Sequence, residues 1–102
     1  MVQLIRHQHR VIYILENIFN MRKTGTIQIT DELTLKDFNW NLKSIYFDNE
    51  TRNLTLEVLM WESFYKHSRT FNFVIPESVT NFGVSDAMNL LLQLPQFENS
   101  VE

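Results

Sequence analysis

Three short runs in the chain carry side chains able to do chemistry. Tyr65-Lys66-His67-Ser68-Arg69 sets an imidazole between two cations. Lys66 and Arg69 suit phosphate oxygens through charge-assisted hydrogen bonds, and His67 suits general acid–base work. Gathered at a hairpin tip, the three would make a phosphate-binding site of the kind a metal-independent nuclease needs. The plainer account is a hydrophilic turn, since no second histidine stands nearby in the sequence. Arg6-His7-Gln8-His9-Arg10 contains His-x-His, a spacing that chelates metal from a strand. On a helix the two rings would sit about 200° apart, and a metal would need His67 or carboxylates from elsewhere. Asp31, Glu32 and Asp37 are carboxylates whose separation nothing in the sequence fixes.

Other chemistries lack their residues. With no cysteine, there are no disulfides, thiolate nucleophiles or Cys-based zinc sites. Gly25 and Gly83 cannot build a phosphate-cradling glycine loop, and no serine sits in a nucleophile-elbow pattern. No catalytic residue, cofactor or metal site is therefore assigned.

The elements that must position these residues come from 102 residues, 44% hydrophobic and 13% aromatic, enough for one domain with its own core. The net charge of -3 is uneven: beyond Arg69 there is no Lys or Arg, while Glu77, Asp86, Glu98 and Glu102 remain. That balance disfavours nucleic acid as a partner, because such binding rests on clustered cations. The absence of cysteine, of a signal-peptide pattern and of a long apolar run predicts a cytoplasmic protein without a membrane span.

Residues 1–23 contain no Gly or Pro. On a helical wheel Leu4, Ile5, Val11, Ile12, Ile14, Leu15, Ile18, Phe19 and Met21 fall on one side, which predicts an amphipathic helix. Its apolar arc exceeds half the circumference, more than one sheet face needs. The β-branched run Val11-Ile12-Tyr13-Ile14 argues locally for a strand. Ile27 and Ile29 alternate with polar residues as in a strand, whereas 31–42 follows neither period. Residues 43–47 read as a strand, 48–53 as a turn and 54–61 as a strand with Leu54, Leu56, Val58 and Met60 toward the core. Residues 69–75 read as the partner strand, with Phe71, Phe73 and Ile75 inward and the hairpin tip at 65–68. Ser85 as N-cap and Pro95 as stop bound a short helix at 87–94, and 96–102 reads as a frayed acidic tail.

The expectation is a single α+β domain over residues 1–95: an N-terminal amphipathic helix, an antiparallel meander of about four strands and a short C-terminal helix, packed in two layers. The second face of the long hairpin turns apolar at Leu59 and Trp61, with Tyr46 and Val74 directed the same way. Exposed aromatic residues anchor protein interfaces. The layout from Trp40 to Ile75 resembles small immunity-type and phage-encoded proteins in general shape. The function expected is a non-catalytic protein-binding module, a small inhibitor or immunity-type protein, acting on another protein through Trp61, Leu59, Tyr46 and Val74. The alternatives are a phosphate- or nucleic-acid-handling protein using Lys66, His67 and Arg69, and a structural subunit that assembles as a homo-oligomer.

Overall fold

A computed structural model describes residues 2–16, 20–28, 31–62 and 65–102. Where a helix is expected at the N-terminus, the chain instead folds as two antiparallel strands, β1 (Val2–His7) and β2 (Arg10–Leu15). A two-residue turn at Gln8 and His9 joins them, and Gln8 takes a positive φ of 55°. The reason lies in the over-wide apolar arc. Val11, Tyr13 and Leu15 lie on one face of β2, and Ile12 and Ile14 lie on the other. Apolar residues on both faces of a short strand spread around a helical wheel as one broad arc. The β-branched run prevails because β2 finds a partner on each side, β1 and a later strand. Ile18 and Phe19, also assigned to that helix, and Ile29, assigned to the next strand, lie outside the described residues.

The rest of the chain forms β3 (Asn20–Arg22), β4 (Thr26–Gln28), β5 (Thr34–Lys36), β6 (Asn39–Asp48), β7 (Asn53–Glu62), β8 (Tyr65–Val74) and α1 (Val84–Leu92). The protein is thus mostly β, with 55% of the described residues in strands and one short helix among them, near the C-terminal end. This replaces the expected four-strand α+β arrangement. The main sheet runs β1-β2-β6-β7-β8, with β3 also against β6. On the edge away from β7, β6 serves two neighbours, β3 at residues 39–41 and β2 at residues 44–48. β4 and β5 form a separate two-stranded sheet. Gly25 opens it at φ 123°, where its N–H donates to Asp37 Oδ1 at 2.9 Å.

No single period fits 31–42 because the stretch holds all of β5, a turn at Asp37 with a positive φ of 50°, and only then the start of β6. The register of β6 with β7 shifts between Leu42 and Ser44, so Lys43 is the extra residue of a bulge. Trp40 and Leu42 before it, and Ile45 and Phe47 after it, all face the core. They are joined by Leu54, Leu56, Val58 and Met60 of β7, each without measurable exposure, and by Ala87, Met88 and Leu91 of α1. Helix α1 starts at N-cap Gly83, two residues before the expected Ser85, and Asp86 Oδ2 accepts the Gly83 N–H at 2.8 Å.

The segment expected to fray is pinned. Phe97 is fully buried, with its ring 4.6 Å from Trp40, 5.4 Å from Phe71 and 6.2 Å from Phe38. Trp40 Nε1–H donates to Ser100 Oγ at 2.9 Å, and Val101 pairs with Arg22 through two backbone hydrogen bonds. No helix among the described residues is long and apolar enough to cross a membrane.

Candidate functional site

Strand alternation sorts the predicted site residues onto the two faces of the sheet. Register pairs Tyr46 with Thr55, Leu59 with Asn41, Trp61 with Asn39 and Val74 with Asn53, all opposite the core face. Asn41 is the one buried residue on the outer face of β6 and β7. The other outer-face side chains there are half-buried or exposed, so no described element covers this side.

The four residues share that face without forming one patch. Tyr46 sits directly across from Ile12, and Ile12 directly across from Ile5, giving an apolar strip over β6, β2 and β1 with Ile14 beside it. Neighbouring strands stand about 4.8 Å apart, so these side chains touch or nearly touch. The Ser44–Glu57 pair separates Tyr46 from Leu59 and Trp61. Val74, 72% exposed, stands at the corner beside the β6–β7 turn. Ile5, Ile12 and Ile14 join this strip only on a strand, so a helical reading of residues 1–23 hides them. The β-branched run at 11–14 was the signal that pointed to them.

The phosphate-binding triplet is divided. Residues 65–69 lie within β8 rather than at a hairpin tip, each paired with a residue of β7. His67 and Arg69 oppose Met60 and Val58 on the inner face, while Lys66 opposes Trp61 on the outer face. Arg69 instead lies over the Phe71 ring at 5.3 Å, and His67 stacks on Tyr65 at 6.4 Å.

The fold brings together a set that no run in the sequence contains. His9 of the β1–β2 turn meets Asp48 at the end of β6 and Glu50 in the β6–β7 turn. His9 Nε2 is 3.6 Å from Asp48 Oδ2 and 3.3 Å from Glu50 Oε2. The Asn49 N–H donates to the His9 carbonyl at 2.7 Å, tying the two turns. Asp48 Oδ1 accepts the Glu50 N–H at 2.8 Å and the Thr51 N–H at 3.2 Å. Partial burial pushes the Asp48 carboxyl up. The two amide hydrogen bonds, with the charges of His9 and Arg10, outweigh that and hold it below the ordinary 3.8.

No protein-family model, curated protein or solved structure matches this chain.

Proposed function

We propose that this chain is a non-catalytic protein-binding module that works along the β1 margin of its sheet. A partner strand adds to β1, and the apolar strip Ile5–Ile12–Tyr46 continues across the joint. The observation that carries this reading is the state of β1. All six of its residues are exposed, it is an edge of the main sheet, and it places Val2 and Leu4 on one face and Ile5 on the other. Soluble proteins usually blunt such an edge with charge, proline or a bulge. The opposite edge, β8, carries Lys66 and Arg69, whereas β1 has Arg6 and His7 only at its turn end.

The register supports a second copy of the chain as the partner. His7 and Arg10 flank a two-residue turn, so they form a hydrogen-bonded pair, and such pairs then alternate along the hairpin. Val2, Leu4 and Arg6 are left with outward N–H and C=O groups. Antiparallel pairing about Leu4 sets Val2 opposite Arg6 of the other copy and leucine opposite leucine, with no like charges facing. This is strand addition of the kind used in peptide recognition, and it makes the structural-subunit reading a special case of protein binding.

The test is solution mass by size-exclusion chromatography with light scattering, across a concentration range, for the native chain and Leu4→Pro. Proline there removes one outward donor and no bond to β2, a place where edge strands accept it. A native dimer that Leu4→Pro dissociates, with unchanged circular dichroism, is expected. A native monomer at every concentration overturns self-pairing. A dimer indifferent to Leu4→Pro overturns the β1 margin as the binding surface.

A further inference from the structure

We propose that His9, Asp48 and Glu50 form a binding site for one divalent transition-metal cation of the zinc type, clamping the β1–β2 turn to the β6–β7 turn. The argument starts from the separations. An imidazolium bonded directly to a carboxylate brings nitrogen and oxygen to about 2.7–2.9 Å. Here the two gaps are 3.6 Å and 3.3 Å, too long for that bond. Two ligands about 2.0–2.2 Å from a tetrahedral zinc ion stand about 3.3–3.6 Å from each other. The His9 nitrogen stands from each carboxylate oxygen at the spacing of two corners of such a site, and the three donor atoms all lie within 4.8 Å of one another.

The donors are held rather than merely near. Asp48 spends Oδ1 on the amides of Glu50 and Thr51, which leaves Oδ2 free to face His9. The Asn49–His9 backbone bond fixes the spacing of the two turns, and the Arg10–Asp48 register pair continues it into the sheet. Asp48 is 14% exposed and His9 34%, so the cation would sit half-sheltered, with Glu50, 70% exposed, closing over it from solvent. One imidazole with two carboxylates suits zinc and its neighbours. Magnesium and calcium prefer shells of six or more oxygens. Three protein ligands leave a fourth position for water or for a donor from a partner. The site lies at the turn end of β2 and is independent of the β1-margin reading.

The experiment is calorimetric titration of the full chain with ZnCl2, repeated with MgCl2, for the native protein and for Glu50→Gln, His9→Ala and His67→Ala. Glu50→Gln alters an exposed side chain, so it tests the site even if His9→Ala disturbs the turn. Expected are one zinc ion per chain, affinity weakened about tenfold or more by Glu50→Gln, loss in His9→Ala, no change in His67→Ala and no magnesium binding. Absence of zinc binding overturns the proposal. So does zinc binding that survives both Glu50→Gln and His9→Ala, or that disappears in His67→Ala.

Discussion

Replacing Phe97 by alanine puts the packing of the C-terminal segment to a direct test. The ring has no exposed surface and three aromatic neighbours, Trp40, Phe71 and Phe38, with centroids at 4.6, 5.4 and 6.2 Å. Truncating a buried phenylalanine to alanine costs about 3–5 kcal/mol. Each well-placed aromatic pair adds about 0.5–1.5 kcal/mol beyond its buried area, which puts this site toward the upper end. Domains of this size have total stabilities of about 5–15 kcal/mol, so the loss is a large fraction of the whole. At about 4–8 °C per kcal/mol, the melting temperature should fall by about 12 °C or more. Urea denaturation followed by tryptophan emission reads it out, in a Trp61→Phe background that leaves buried Trp40 as the sole reporter. Deleting residues 96–102 should cost at least as much, because it also removes the Arg22–Val101 pairing. A loss below about 1 kcal/mol in the alanine variant would refute the buried position of Phe97 and restore the frayed tail.

Three further outcomes follow from named contacts. Arg52, at φ 66°, donates to the carbonyls of Ile75, Pro76 and Val79 and lies over the Phe47 ring at 4.9 Å, so Arg52→Ala should destabilise by about 2–3 kcal/mol in urea. Gly25→Ala should cost about 1–2 kcal/mol by the same measurement, although nothing lies within 4 Å of the added carbon, because φ 123° is strained for any L side chain. The Asp48 carboxyl is held below its ordinary 3.8, so its stabilising effect is complete above that value and is lost as pH falls through the lower folded one. With chelator present, Asp48→Asn should therefore be less stable than the native chain at pH 7, and the gap should close under strongly acidic conditions. A gap that stays constant with pH would remove the carboxylate's charge as the cause.

What the sequence made legible was the part of the fold governed by one period. Leu54, Leu56, Val58 and Met60 alternate without interruption, and their strand, its inward face and its antiparallel partner all follow from that pattern. Two physical effects hid the rest. Apolar residues on both sides of β2 imitate the broad arc of a helix, and only pairing with β1 and β6 decides between them. The bulge at Lys43 breaks the alternation of β6, so Trp40 and Leu42 look out of step with Ile45 and Phe47 until the register is known. The His9–Asp48–Glu50 cluster was legible only as a need, that His-x-His would require carboxylates from elsewhere. The register that supplies them, Arg10 against Asp48, is a tertiary fact.

The corrected N-terminus changes what the apolar excess means. On a helix, the surplus arc would be a second packing surface turned away from the sheet. On a hairpin, it becomes both faces of a sheet margin: Val2 and Leu4 beside the core-side residues Tyr13 and Leu15, and Ile5 beside Ile12 and Tyr46. Burying both faces at once requires extending the sheet itself, because a single covering layer reaches only one of them. An added strand does that, and it also satisfies the outward backbone groups of Val2, Leu4 and Arg6. The same geometry gives the turn cluster a role. β1 is joined to the main sheet through β2 alone, so a cation bridging His9 to Asp48 and Glu50 would reinforce the Asn49–His9 bond that ties the hairpin turn to the β6–β7 turn.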